Sequence, residues 1–326
     1  MSRSPLQDTL HEWGALVLDG AMATELERHG ADLSGGLWSA RLLLDRPELI
    51  AEVHRSYFQA GADVAITASY QASMAGFTGA GLAVGDAERL MIRSVELARE
   101  ARDHFWSATA AERPELPDHR PRPLVATSVG PYGAVLADGS EYRGHYDISH
   151  ADLVRFHRDR LEVLVQAGVE VLACETIPSL AEAEALLEVL ADWPDLTAWV
   201  SFSARNEREV SDGTPIVACS SALHGAGQVL AVGVNCTAVR HIPGLLSELA
   251  SGTDKPLVVY PNSGEVYDAA QQSWGGSRSD VDFGVLAGQW HAAGARLIGG
   301  CCRTGPSDIS AVAGALQSLR AGGEPA

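Results

Sequence analysis

Short apolar runs alternate with longer stretches of helical period along almost the whole chain. Eight runs read as strands: Ala15–Asp19, Asp63–Thr67, Leu124–Ser128, Glu170–Glu175, Ala198–Phe202, Val229–Cys236, Leu257–Tyr260 and Arg296–Gly299. They are nearly continuously apolar, which is the pattern of parallel strands covered on both faces. Between them, Leu90, Val95, Ala98 and Phe105 recur at near-helical spacing, as do Leu153, Phe156, Leu161, Leu164 and Val165. Ser179–Trp193, Thr214–His224, Asp280–Ala295 and Ser307–Arg320 supply further helices, the first with Ser179 as its N-cap. Ala60-Gly61, Ala167-Gly168 and Ala293-Gly294 each precede a strand. Glycine just past a helix is the usual stop, because it takes the left-handed backbone without a Cβ clash.

Eight strands with intervening helices predict an α/β fold, a (β/α)8 TIM-type barrel, as a single domain over residues 1–326. A doubly wound open sheet is the rival. It normally uses fewer strands and often has a Gly-rich first turn, whereas Asp19-Gly20-Ala21-Met22 contains no GxGxxG. Residues 107–122, rich in proline, and 130–150, rich in glycine, tyrosine and charge, are expected to be loop insertions, and 321–326 a frayed C-terminus.

Composition narrows the class. With 46% apolar and 20% charged residues, the chain is expected to fold rather than stay disordered. A net charge of -18 argues against nucleic acid, whose phosphates demand clustered Lys and Arg, and against an anionic membrane surface. No apolar run is long enough to span a bilayer, and MSRSPLQDTL has no signal-peptide h-region. Five irregularly spaced cysteines do not form a disulfide framework. The expectation is a cytoplasmic protein, monomer or small homo-oligomer, acting on small molecules.

In a barrel, chemistry sits where strands end and βα loops begin. The strand-end residues are Asp19-Gly20, Thr67, Ser128, Glu175-Thr176, Ser203, Asn235-Cys236, Pro261-Asn262-Ser263 and Gly299-Gly300-Cys301-Cys302, a polar ring on an apolar scaffold. Neighbouring side chains on a strand point to opposite faces, so Cys301 and Cys302 share one ion only where the chain leaves the strand. Gly299 and Gly300 permit such a turn. Cys236 ends strand six, and alternate strands share a layer in a barrel. Three thiolates with an open fourth position are a zinc arrangement. The alternative is three small core residues. Cys174 and Cys219 are assigned to the core, Cys174 facing away from Glu175. Asp19 and Glu175 are candidates for acid–base chemistry, for binding a substrate ammonium, or for ordinary ion pairing.

Seven segments, in order, carry a resemblance: LDGAMATELERHG (18–30), GADVAITASYQAS (61–73), SVGPYGAVLADGSEYRGHY (128–146), ACETIPS (173–179), VGVNC (232–236), YPNSGEVYD (260–268) and IGGCCRTGP (298–306). The chain resembles the homocysteine S-methyltransferase family, in particular the branch that uses S-methylmethionine or S-adenosylmethionine. The resemblance implies a (β/α)8 barrel and one Zn2+ per chain on Cys236, Cys301 and Cys302. It implies a homocysteine site with Asp19 and Glu175 on the amino group and with Gly20 and Thr67 beside it. Asn235, Asn262 and Ser263 are expected to complete that site. The third loop, with Tyr132, Glu141, Tyr142 and Arg143, is expected to form the donor site.

Betaine-using relatives carry Tyr where this chain has Thr176 and Gln71, so a sulfonium donor is expected. His145 stands where relatives often carry an acid. Two other readings remain at this point: a methyltransferase for another thiol or selenol acceptor, and a zinc-free binding or regulatory barrel.

Overall fold

Residues 4–33, 38–113, 115, 119–136, 138–264, 266–268, 273–275 and 281–322 are described by the structure, a computed structural model. Eight parallel strands form its sheet: β1 Leu16–Val17, β2 Val64–Ile66, β3 Leu124–Val129, β4 Val171–Ile177, β5 Ala198–Phe202, β6 Val229–Ala238, β7 Leu257–Asn262 and β8 Ala295–Ile298. Their order is β1-β8-β7-β6-β5-β4-β3-β2. A bridge between Leu18 and Val64 joins the two ends. Asp19 N–H donates to Val64 O at 3.1 Å there, and Asp63 N–H to Val17 O at 2.7 Å. The ring is thus closed, as a (β/α)8 barrel, and the open-sheet alternative is excluded.

Strand alternation sorts the side chains into two cores. Leu16, Leu18, Val171, Ala173, Ala231, Val258, Trp199 and Tyr260 pack inside the barrel. Val17, Leu172, Cys174, Val232, Val234 and Val259 pack outward against the helices. This places Cys174 in the outer core and gives Glu175 the inward parity of Val171 and Ala173, as the strand period requires. Gly61, Gly168 and Gly294 all have positive φ (108°, 75° and 101°) at their helix ends. Ser179 caps helix Leu180–Leu190 by accepting from Glu182 N–H.

Several boundaries differ from the sequence expectation. Helix Val84–Glu112 runs through the first part of the expected 107–122 loop. The reason is local: Ala108, Ala110, Ala111 and Glu112 favour helix, and Pro114 is the first residue that cannot continue it. Residues 130–150 hold a short helix, Tyr132–Leu136, and a 3-10 turn, Ser140–Tyr142. The helix expected at Asp280–Ala295 spans Phe283–Ala292, capped by Asp282, and Asp280 lies outside the described residues. Of the expected frayed end, 323–326 also lie outside them, while the last helix, Pro306–Gly322, includes 321 and 322. A two-stranded antiparallel ribbon pairs Val266–Asp268 with Ser273–Gly275.

Helix Pro5–Trp13 was not foreseen. Its signal is the capping box Ser4–Gln7 followed by proline. Leu6, fully buried, joins the interior core and stops the N-terminal end of the barrel. Beside it, Asp63 Oδ2 accepts from Val17 N–H at 3.0 Å and from Arg320 at 2.8 Å, and Arg120 lies 3.5 Å from Oδ1. Removing that carboxylate leaves two cations and a strand N–H unmatched. Asp63→Ala is expected to lose about 3–5 kcal/mol in denaturant unfolding, since breaking a buried pair strands the partner charge. A loss under about 1 kcal/mol would show that the latch carries little of the closure energy.

Candidate functional site

The C-terminal ends of the strands surround a cavity lined by Asp19, Gly20, Thr67, Glu175, Cys236, Cys301 and Cys302, among others. Three sulfurs converge on one side. Their Sγ atoms all lie within 4.8 Å of one another, and Cys236 Sγ is 3.5 Å from Cys302 Sγ. Tetrahedral zinc at about 2.3 Å from sulfur sets neighbouring thiolates about 3.8 Å apart, so the donor set fits that ion with little adjustment. Among the described residues, no other group of three His, Cys, Asp or Glu side chains meets this condition.

Backbone geometry produces the convergence. Cys236 has outward parity on β6, yet its φ of 46° turns the residue at the strand end. Arg303, directly after the vicinal pair, has φ 68°. Gly299 and Gly300 have no positive φ, so conformational freedom is not their role here. A Cβ on Gly299 would lie 2.6 Å from Leu18 Cβ, and one on Gly300 would lie 2.4 Å from Thr304 Oγ1. They are needed because the backbone passes too close to its neighbours for a side chain. Gly300 N–H donates to Asp19 O at 3.1 Å and Cys301 N–H to Pro261 O at 2.8 Å, which ties the pair to β1 and β7.

The three thiols are coupled through hydrogen bonds. Hydrogen bonds from Cys301 and Cys302 hold Cys236 well below the ordinary thiol range, helped by Tyr142 and Asn262, against the effect of burial. Cys301 and Cys302 are held well above it, mainly through their bonds to Cys236. Tyr142 Oη lies 3.3 Å from Cys236 Sγ. Cys236 is thus the thiol of the three that most readily loses its proton, and binding of a divalent cation by the set would release thiol protons.

Two buried carboxyls, Asp19 and Glu175, share the cavity with the sulfurs. Asp19 Oδ2 accepts from Ile66 N–H at 2.8 Å, and Ser128 Oγ donates to Glu175 Oε1. Burial raises Asp19 well above the usual carboxylate range, and the Glu175 charge adds to this. Burial pushes Glu175 up to about 7, opposed by hydrogen bonds from Ser128 and Tyr260. Neither acid forms an ion pair among the described residues. Both are poised for a cation that the fold itself does not supply. Thr67 Oγ1 accepts from Ser128 N–H at 3.0 Å and lies 2.7 Å from Ser69 Oγ. A Cβ on Gly20 would lie 2.9 Å from the Tyr57 ring.

Not every expected residue reaches the cavity. Asn235 is fully buried beneath it. Its Oδ1 accepts from Thr176 N–H at 2.7 Å and from Ser201 Oγ at 2.9 Å, and its Nδ2 donates to Thr176 Oγ1 at 2.8 Å. Asn262 bonds to Cys236, and Ser263 N–H donates to Cys302 O at 3.1 Å. These three therefore brace the rim from behind. In the third loop, Tyr142 lines the cavity. Tyr132 packs edge-on against Tyr146 and Phe156, and Arg143 is exposed beside Asp138. Glu141 is pushed up to about 7, chiefly by burial. His145 is exposed. Tyr70, Gln71, Met22 and Tyr260 also line the cavity. Gln71 is the position named above for donor choice, whereas Tyr70, three residues beyond the strand-end residue Thr67, is singled out only by the structure.

A family profile described as homocysteine S-methyltransferase matches residues 16–316. Homocysteine S-methyltransferase YbgG of Bacillus subtilis (strain 168) is 52% identical over 97% of this chain and 99% of its own length. Selenocysteine methyltransferase of Astragalus bisulcatus is 44% identical over 98% of this chain and 97% of its own. The crystal structure of the metallated form of the homocysteine methyltransferase MmuM from Escherichia coli superposes with a TM-score of 0.84, at 48% identity, covering 95% of this chain and 99% of that one. The chain belongs to the homocysteine S-methyltransferase family of enzymes.

Proposed function

We propose that the chain moves a methyl group from a sulfonium donor to homocysteine, giving methionine, with one Zn2+ held by Cys236, Cys301 and Cys302. What carries this reading is one juxtaposition: three thiols within 4.8 Å of one another share a cavity with two buried carboxyls. Zinc bound there would lower the pKa of an incoming thiol and fix the direction of its sulfur.

The protein's own groups do the rest. Asp19 and Glu175 hold the substrate ammonium, whose charge favours their ionised forms. The Ile66 N–H and the Ser128 hydroxyl keep the two carboxyls oriented. The homocysteine sulfur attacks the sulfonium methyl carbon in line; as the new sulfur–carbon bond forms, the donor's sulfur–methyl bond breaks, a neutral thioether leaves and charge disperses, so positioning and exclusion of water outweigh proton transfer. The net charge of -18 attracts a cationic donor and a cationic substrate end. Thr176 and Gln71 both line the cavity where betaine-using relatives carry tyrosines, which favours S-methylmethionine or S-adenosylmethionine. The same pair of acids suits any thiol or selenol amino acid. Selenohomocysteine or selenocysteine is the second acceptor class to test, because a relative 44% identical is named a selenocysteine methyltransferase. No described helix is long and apolar enough to cross a membrane, and we assign the enzyme to the cytoplasm.

Reduced protein is expected to hold one zinc per chain. Cys236→Ala and Cys302→Ala should each lose the metal and methyl transfer while keeping the far-ultraviolet circular dichroism of the parent. Full transfer by either variant rules out the metal role. With homocysteine as acceptor and methionine as the readout, S-methylmethionine should be the best donor, S-adenosylmethionine measurable and betaine silent. Preference for betaine would overturn the reading of Thr176 and Gln71.

The buried acids also predict a pH effect. Glu175 rises from an ordinary value of 4.5 to about 7. Its raised value means the folded state binds the proton more tightly. The associated stability is full below the unfolded value and lost as pH rises through the folded one. Metal-free Glu175→Gln should therefore melt higher than the parent at pH 8, by roughly 2–5 °C, with the gap closing towards pH 5. An equal gap at both pH values would show that the carboxyl is not strained by burial.

A further inference from the structure

Helix His150–Leu164 turns two ionisable side chains, His157 and Arg160, into the protein, and both are fully buried. His157 has a carboxylate partner: its Nε2 lies 3.0 Å from Glu182 Oε1, which also accepts from Tyr132 N–H at 2.6 Å. Arg160 forms no ion pair among the described residues. Its guanidinium donates instead to three backbone carbonyls, Gly130 O at 2.8 Å and Ser69 O and Tyr70 O at 2.6 Å each. Those carbonyls belong to the loops that follow β3 and β2, and Tyr70 lines the cavity. The two loops are locked closely: a Cβ on Gly130 would lie 2.6 Å from both Tyr70 O and the Tyr70 ring.

Carbonyl dipoles satisfy donors without neutralising the charge, so the guanidinium keeps a surplus positive field in a poorly screened interior. The groups that feel it are Cys174, Tyr70, Glu182 and Glu175. Around Glu175, the Ser128 and Tyr260 hydroxyls donate hydrogen bonds, Cys236 and Asp19 contribute negative charge, and Arg160 is the positive member of the set. A carboxylate at the edge of protonation is sensitive to such a neighbour.

We propose that Arg160 is a positioning residue of the amino-acid site. It fixes the Ser69-Tyr70 wall through three carbonyls, and Ser69 Oγ, which donates to Ser128 O at 2.8 Å, carries that hold to the Ser128 hydroxyl on Glu175, the carboxyl that faces the substrate ammonium. This rests on the methyltransferase reading above. Arginine suits the task because its planar fork reaches diverging carbonyls at once, whereas lysine supplies the charge from a single point.

The test is calorimetric binding of methionine between pH 5.5 and 8.5 to the reduced, zinc-loaded full chain. Methionine is the product under that reading and has no thiol to lose. Parent, Arg160→Met and Arg160→Lys are compared, with circular dichroism and metal content as controls. Parent affinity should fall as pH is lowered through the Glu175 range. Arg160→Met should bind ~10–100-fold more weakly at pH 8 and move the midpoint upward by about one pH unit. Arg160→Lys should weaken binding less and keep the parent midpoint. A folded Arg160→Met variant with parental affinity and midpoint overturns the inference. Should that variant fail to fold, parental affinity in Arg160→Lys overturns it instead. A parent chain that binds no methionine at any pH overturns the functional reading itself, and is told apart because it needs no variant.

Discussion

The left-handed turn at Cys236 is the constraint on which the site depends. On a regular strand this side chain would face the helices, beside Val232 and Val234. A φ of 46° brings it to the rim instead, and Thr176 on β4 has a similar φ of 59°. Non-glycine residues in that region cost of order 1–3 kcal/mol each and persist only where surroundings hold them. The holder is Asn235, whose amide clasps the backbone N–H and hydroxyl of Thr176 at 2.7 and 2.8 Å. One side chain thus couples the strand end bearing Glu175 to the strand end bearing Cys236. A shift of either would move a thiol and a carboxyl together, which keeps their separation fixed.

How far this was legible in the sequence divides along physical lines. Continuous apolar runs such as Val229–Cys236 mark buried parallel strands, and the Ala-Gly stops mark helix ends, so the barrel could be read directly. The rim could be read too, because polar residues at the ends of apolar strands are conspicuous. Cys236, Cys301 and Cys302 do meet, and the two acids line the same cavity. What could not be read was which rim residues the fold itself would engage. Asn235 and Asn262 share the inward parity of Ala231 and Tyr260, yet their side chains are taken up by Thr176, Ser201 and Cys236, and Ser263 is tied to Cys302 through its backbone. Glycine was also misjudged at Gly299 and Gly300, since sequence alone does not distinguish freedom of φ from lack of room. The helix Pro5–Trp13 escaped for another reason: much of the core that Leu6 joins, such as Val171, Trp199 and Tyr260, is remote in the chain, and its one local signal was the capping box.

Electrostatically the site is an unbalanced one. Asp19, Glu175, Cys236 and Glu141 crowd negative or negative-going groups into one mouth, and Arg160 supplies positive charge only from behind. In the absence of ligands this arrangement disfavours ionisation of the carboxyls. A divalent cation at the thiols and an ammonium at the carboxyls each remove part of the strain, so ligands stabilise the fold at the same points where they are bound.

The floor of the barrel has a bearing on how the chain is made. Arg320, in the last helix, donates to Ala15 O and Asp63 Oδ2 and lies 5.5 Å over the Trp13 ring, while Leu6 plugs the interior beside it. The seam between β1 and β2 is therefore latched by a residue some 300 positions away. A nascent chain can pair its early strands, but the lock on its first two waits until Arg320 has been made. Ring closure is a late, long-range event, because β1 also pairs β8, and until β8 is made one edge of β1 is a strand edge that a growing chain must shield.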